Sequence, residues 1–345
     1  MVVAVEWLDE PRPMIRLIDQ TRIPHDEAYL EITTVDALVD AIATLAVRGA
    51  PALGAVGALG VVVAMLQAKD EGWDDETLDA QMRRIRDARP TAVNLAWGAD
   101  RARPFVAQGV DAVLAEARRI VAEDGAANRE LSRRGADWIL AATGKERVRV
   151  VTHCNTGALA TTAWGTAYGI IHELHERGRL GLVYADETRP LLQGARLTSW
   201  ELTQDGIEHL VEVDGAASST ILRGLVDVAI IGADRITANG DTANKVGSVA
   251  LALACRRAGI PFVVAAPSST VDLSTATGDQ IVIEERDPSE VTAFNGFPSA
   301  PAGALGFNPA FDVTPHDLIS AVVTERGVVE PATEPHPQLL ARIAG

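Results

Sequence analysis

Two stretches decide the fold of this chain: Val148-Arg149-Val150-Val151-Thr152-His153-Cys154-Asn155-Thr156-Gly157 and Val228-Ala229-Ile230-Ile231-Gly232-Ala233-Asp234-Arg235. Each opens with a short, largely β-branched apolar run and ends in polar residues, the pattern of a buried strand leading into a loop. Around them, strand-like and helix-like segments alternate. Strands are expected at Val148–Thr152, Leu180–Ala185, His209–Val213, Val226–Ile231, Ile260–Ala266 and Gln280–Ile283. Helices are expected at Ala158–Arg177, Leu191–Asp205, Ala216–Arg223 and Val246–Ala258. Such alternation makes a doubly wound, Rossmann-like parallel sheet. Ligands of these sheets bind outside the carboxyl ends of the strands, where Cys154 and Asp234 fall.

Upstream the pattern is helical. Apolar residues recur at helical spacing over Val35–Ala46, Gly54–Ala68, Asp75–Ala88 (capped by Asp75 or Thr77), Asn94–Arg101 and Gly109–Asp124, while Met14–Ile32 suggests a hairpin or irregular strands. A further helix, Asn128–Ala142, bridges the halves. The fold class expected is α/β, with a smaller, mainly helical N-terminal domain over 1–125 and a Rossmann-like catalytic domain over 126–345. Phe294–Pro309, rich in Gly, Pro and Ala, reads as a long loop.

Composition narrows the function. Of 345 residues 47 % are hydrophobic but only 4 % aromatic, so the core is built of Ala, Val, Leu and Ile. The net charge of −16 argues against nucleic acid as a partner, since phosphate backbones need a basic face. The two cysteines, Cys154 and Cys255, fit free thiols in a reducing cytosol, and no signal peptide is visible at the start. Gly49–Leu66 carries no charge and approaches membrane-spanning length. Its Pro51, Gly54, Gly57 and Gly60 instead suggest a buried helix that neighbouring backbones approach closely. A cytoplasmic protein with no membrane partner is expected.

Several residues carry chemistry. Cys154 stands between a strand and an expected helix start, where free N–H groups and the dipole favour a thiolate, although a lone cysteine is often an inert core residue. Cys255, in the middle of Leu251-Ala252-Leu253-Ala254-Cys255, reads as the inert kind. Asp234 follows an apolar strand whose burial would suit a carboxylate to general-base work; the plainer alternative is a turn cap. Asn244 and Lys245 lie in a Gly- and Asn-rich loop leading into a helix, a place for phosphate without the P-loop signature, or a solvated turn. Arg48 precedes Gly49-Ala50-Pro51 and Arg89 precedes Pro90-Thr91-Ala92. Arginine binds phosphate in bidentate fashion, and glycine beside it allows close backbone approach; solvated surface positions are the alternative. Gln193 follows the strand ending near Ala185, on the ligand side or on a solvated helix face. His172 and His175 lie three apart with nothing to complete a metal site, and no dinucleotide fingerprint is present.

Taken in order, Arg48-Gly49-Ala50-Pro51, Arg89-Pro90-Thr91-Ala92-Val93-Asn94-Leu95, His153-Cys154-Asn155-Thr156-Gly157, Glu187-Thr188-Arg189-Pro190-Leu191-Leu192-Gln193-Gly194, Gly232-Ala233-Asp234-Arg235 and Asn239-Gly240-Asp241 through Asn244-Lys245 resemble the motifs of the methylthioribose-1-phosphate isomerase family. The resemblance runs from about Arg16 to Glu330. The wider family includes ribose-1,5-bisphosphate isomerases and regulatory subunits of a translation-initiation exchange factor.

The resemblance implies conversion of 5-methylthioribose 1-phosphate to 5-methylthioribulose 1-phosphate in methionine salvage, with no metal or organic cofactor. It assigns Cys154 and Asp234 as the catalytic pair. It places Arg48, Gly49, Ala50 (through its backbone), Arg89, Gln193, Asn244 and Lys245 around the sugar phosphate, and it implies a homodimer. On this reading Cys154 donates a proton toward the ring oxygen and Asp234 handles the proton of the C2 hydroxyl, through an enolate or a hydride shift. The competing expectations are an isomerase of ribose 1,5-bisphosphate or 5-deoxyribose 1-phosphate, and a non-catalytic regulatory subunit of the translation-factor class.

Overall fold

The uncharged stretch after Gly49 becomes the central helix of the first of two units in the protein, here a computed structural model describing residues 2–89, 93–294, 296–334 and 339–344. The first unit comprises Met1–Glu130 and Thr156–Gly169, the second Leu131–Asn155 and Ile170–Gly345. The chain therefore passes between them three times.

In the first unit β1 (Val5–Leu8), β2 (Met14–Ile18) and β3 (Tyr29–Ile32) form an antiparallel sheet, more regular than the sequence suggested. Among the described residues five α-helices follow: α1 (Val35–Ala43), α2 (Ala50–Glu71), α3 (Asp75–Arg86), α4 (Val93–Ala102) and α5 (Val110–Thr143). Thr34 caps α1 through Ala37 N–H, and Asp74, one residue before the expected cap, holds Thr77 N–H at 2.8 Å. The two helices expected either side of Gly125 are one continuous α5, which begins in the first unit and ends in the second.

Helix α2 is a core helix, with every residue from Ala52 to Ala64 buried. Its glycines set the packing. A Cβ at Gly57 would strike the Leu95 carbonyl, and one at Gly98 the Gly54 carbonyl, so α2 and α4 meet backbone to backbone. Gly49 is needed for a similar reason: at φ +97 it lies against Ala160, and a side chain would strike that residue's backbone. The Ala160 carbonyl also accepts Ala52 N–H at 3.3 Å.

The second unit alternates as expected: β4 (Val148–Thr152), α6 (Ala167–Glu176, which starts in the first unit), β5 (Leu180–Asp186), α7 (Ser199–Gln204), β6 (His209–Glu212), α8 (Ala217–Leu222) and β7 (Val228–Ile231). After β8 (Arg235–Thr237) and β9 (Thr242–Lys245) come α9 (Ser248–Ala258), β10 (Phe262–Ala265), β11 (Val271–Asp272), α10 (Ser289–Thr292), β12 (Ala293–Phe294), β13 (Phe297–Pro298), β14 (Phe311–Thr314), β15 (Ala321–Thr324) and β16 (Gly327–Val329). Among the described residues the main sheet has seven strands in the order β16-β15-β10-β7-β4-β5-β6. All neighbours are parallel except β15–β16. Strands β7, β10 and β15 are buried at every position, as strands covered on both faces must be. Ala229 and Ile231 share a core with Ile221, Leu251 and Phe262; Val228 and Ile230 point the other way. A second sheet, in the order β11-β8-β9-β14, stands beside it in the chain's topology.

Three expectations fail. No helix starts at Ala158: the chain turns until Ala167, with Trp164 and Gly165 in left-handed conformation. The stretch Leu191–Asp205 is interrupted by a left-handed Leu192 and a π turn at Gly194–Thr198 before α7 begins. Gln280–Ile283 is no strand: Val282 is 89 % exposed, and the sheet is completed instead by Ala321–Thr324, a segment the sequence reading passed over.

Adding a side chain at the α2–α4 contact should overpack it. Gly98→Val is expected to lower unfolding free energy by about 3 kcal/mol, whereas Gly215→Ala, where a Cβ meets open space, should stay within about 0.5 kcal/mol in denaturant titrations.

Candidate active site

The strand order reverses at β4: the chain runs outward through β5 and β6, then returns to lay β7 on the other side of β4. That reversal opens a crevice at the carboxyl edge of a parallel sheet. Thr152 pairs with Ile230 across β4 and β7, so Cys154 follows two residues beyond one side of the reversal and Asp234 four beyond the other. Asp234 is exposed; the burial expected around it is not found in this unit.

Cys154 is buried and left-handed, with φ +63. No helix follows it, so the expected helix N-terminus is replaced by something else. Thr188 Oγ1 accepts the Cys154 N–H at 2.8 Å, and Thr198 Oγ1 donates to the Cys154 carbonyl at 2.6 Å. Thr188 is itself left-handed, its N–H held by Asp214 Oδ1 at 2.7 Å. The π turn that brings in Thr198 begins at Gly194, where a Cβ would strike the Asp186 carbonyl. Asn155, also buried, donates to Glu201 Oε2 at 2.6 Å. Just before the π turn, Gln193 is buried with an Oε1 that lacks a hydrogen-bond partner, an acceptor suited to a ligand hydroxyl.

Asn244 and Lys245 lie on β9, not at a helix start; α9 begins at Ser248. Both are buried. Asn244 Nδ2 donates to Ser248 Oγ at 2.9 Å, and Lys245 Nζ donates to the Ala310 carbonyl at 2.8 Å and sits over the Phe311 ring. In the first unit Arg48 and Gly49 lead into α2, with Ala50 as its first residue, and half-buried Arg89 follows α3. The Pro90–Ala92 part of that motif lies outside the described residues.

Sequence reasoning missed His153. Its ring is 1 % exposed, with Nδ1 2.8 Å from Asp186 Oδ2 and Nε2 2.9 Å from the Val246 carbonyl. A carbonyl only accepts, so Nε2 carries a proton. Burial pushes His153 down, but the Asp186 hydrogen bond and the charges of Asp186 and Asp214 outweigh it, and it titrates above the ordinary histidine range. Burial likewise raises Asp186, against the opposing effect of His153, so the pair holds one proton between them tightly. His153, Asp186 and Asp214 are close enough to suggest a metal site. Most of their atoms are otherwise engaged: both ring nitrogens are bonded and Asp214 accepts from Thr188 and Arg189 N–H groups, while Asp186 Oδ1 has no hydrogen-bond partner. The signal available in the sequence was register, since Thr152 and Ala185 pair and the next residues are His153 and Asp186. Cys255 is a buried free thiol within α9, and burial pushes it up to about 12.

Comparison with known proteins gives the class to which this doubly wound fold belongs. Residues 46–331 match the Initiation factor 2 subunit family. A protein of Nocardia farcinica named as a probable bifunctional methylthioribose-1-phosphate isomerase/methylthioribulose-1-phosphate dehydratase is 53 % identical over 95 % of this chain, which spans 59 % of that protein's length. Other curated relatives, such as that of Desulforudis audaxviator at 46 % identity over 100 % of this chain and 98 % of its own, are named methylthioribose-1-phosphate isomerase. The crystal structure of 5-methylthioribose 1-phosphate isomerase from Pyrococcus horikoshii is 36 % identical, with a TM-score of 0.87 over 99 % of this chain and 96 % of that one. A structure described as translation initiation factor eIF-2B, subunit delta, from A. fulgidus is 38 % identical, with a TM-score of 0.85 over 99 % and 100 %. The chain belongs to the Initiation factor 2 subunit family. Within it, the chain is an enzyme of the isomerase kind.

Two predictions follow from the geometry. Thr188→Val should strand the buried Cys154 N–H and cost about 1–3 kcal/mol in unfolding experiments, with Thr188→Ser recovering most of it. The His153 titration followed by NMR should have its midpoint above the ordinary value of about 6.5. Because the folded value is the higher one, the stability that His153 contributes is complete below that ordinary value and is lost as pH rises through the raised one.

Proposed function

We propose that the chain converts 5-methylthioribose 1-phosphate to 5-methylthioribulose 1-phosphate, as a cytoplasmic step of methionine salvage. The observation that carries this reading is the placing of Cys154 and Asp234 on either side of the strand-order reversal. The Lys245 segment supports it, tied to the Cys154 strand end by the His153–Val246 hydrogen bond.

The substrate's C1 is locked as a glycosyl phosphate and cannot open unaided. Cys154 gives its proton to the ring oxygen as the bond from that oxygen to C1 breaks. Asp234 takes the proton of the C2 hydroxyl as C2 becomes the carbonyl. The hydrogen on C2 reaches C1 either as a hydride or as a proton by way of an enolate; the overall balance is the same. Its exposure lets Asp234 return the proton gained and restore the thiol through solvent. In the second unit Lys245, Asn244 and Gln193 are suited to hold the sugar phosphate; in the first, Arg89 and Arg48 are suited to an anion, with Arg48 beside the amino end of α2, where the Ala50 N–H and the helix dipole favour one.

A homodimer is part of the reading. Val282, Phe297, Leu305 and Phe307 are 77–98 % exposed within one stretch of the second unit, apolar side chains that a second copy would cover. The resemblance to a translation-factor subunit favours a second reading, a non-catalytic regulatory protein.

Turnover on 5-methylthioribose 1-phosphate, measured beside ribose 1,5-bisphosphate, separates these. Cys154→Ser and Asp234→Asn are each expected to lower kcat at least about 100-fold. Turnover only on the bisphosphate would move the chain to the sister reaction; none on either would favour the regulatory reading.

A further inference from the structure

His153 and Asp186 take no part in the chemistry above, yet they occupy a buried node between the segments that do. His153 directly precedes Cys154. Asp186 ends β5, and its carbonyl accepts the hydroxyl of Thr188 at 3.0 Å. Thr188 in turn holds Cys154 N–H. On the other side of the ring, Nε2 reaches the carbonyl of Val246, the residue after Lys245. Gly247 lies so close that a Cβ there would press on the imidazole at 2.8 Å. The same turn is supported from β14, where Asp312 accepts Gly247 N–H at 2.8 Å. The charged groups bearing on the imidazole are therefore Asp186, Asp214 and Asp312. An imidazole suits this place because it is flat, rigid and able to donate at opposite ends, to a carboxylate and to a carbonyl.

We propose that His153, oriented by Asp186, is a positioning residue that locks the turn after Asn244–Lys245 against the strand end bearing Cys154. It sets the distance between the phosphate-holding segment and the catalytic thiol. The inference rests on the isomerase reading. Its logic is that of an oriented histidine whose carboxylate partner fixes ring angle and tautomer. Both halves of the site move if the ring turns, so the loss falls on KM and kcat together.

The test compares Asp186→Ala, Asp186→Asn and His153→Gln in the full-length protein. Asp186→Ala and His153→Gln are expected to lose about 100-fold in kcat/KM, the scale of a misplacement of about 1 Å. Asp186→Asn keeps the geometry, because its amide N–H donates to Nδ1 of a neutral imidazole that still donates from Nε2 to Val246; it should stay within about 10-fold of wild type. Hydrogen exchange of the backbone over 242–250 is read on the same proteins and needs no substrate. Faster exchange in the Ala and Gln variants, with Asn like wild type, is the expected result. Unchanged exchange in Asp186→Ala, or an Asn variant as impaired as the Ala one, overturns the proposal. A wild type that fails to turn over defeats the isomerase reading but leaves the exchange result decisive for the pair. Should Asp186→Ala fail to fold, His153→Gln and Asp186→Asn carry the comparison.

Discussion

A left-handed backbone at Cys154 is the constraint on which the carboxyl edge of the parallel sheet depends. A non-glycine residue in that conformation costs about 1–3 kcal/mol and persists only where its surroundings impose it. Here they do so in layers. Thr188 and Thr198 fasten the two peptide groups flanking Cys154, Asp214 fastens Thr188, and Gly194 allows the returning chain to lie directly on β5. Thr188 and Leu192 are left-handed as well, so strain is gathered where β4 and β5 end. The turn sends the chain away from a helical path and leaves the thiol at the reversal of strand order.

Much of this was legible in advance, for definite reasons. Strands β4, β5, β7 and β10 are short apolar runs in a sheet covered on both faces, and such runs announce themselves. The glycines of α2 announced a close crossing, and α4 makes it. What stayed hidden has equally definite causes. Strand β9 is four residues, Thr-Ala-Asn-Lys, all buried; polar residues inside a sheet leave no alternation to read. Strand β8 has three residues and β11 two, too few for any period. The helix expected from Ala158 had good local composition, but left-handed Trp164 and Gly165 override it. His153 and Asp186 sit 33 positions apart and become neighbours only through strand register.

The two cysteines show how position alone sorts one side chain into two kinds. Cys255 lies inside α9 among Leu251, Ala252 and Phe262, and burial raises its thiol far from any working range. Cys154 is also buried, but its backbone N–H and carbonyl are held by the hydroxyls of Thr188 and Thr198 at the end of a strand. The difference was visible in the sequence as an apolar helix in one case and a strand end in the other. The burial predicted for Asp234 was not met, because β7 ends before it and the chain emerges into β8.

The threefold passage of the chain bears on whether the molecule can be divided. Thr156–Gly169 belongs to the first unit and is pinned there: Leu159 accepts from Gln20, Ala160 from Ala52, and Ala163 from Asn128, while Asp124 holds Thr162. The residues on both sides of that segment in sequence, up to Asn155 and from Ile170, belong to the second. No single scission yields two whole pieces. A fragment ending at Glu130 lacks a stretch that its own interior is built around, and the remainder carries that stretch with nothing to receive it. Neither unit is a module that recombination could transplant by one crossover, and the gene for such a fold is inherited whole or not at all.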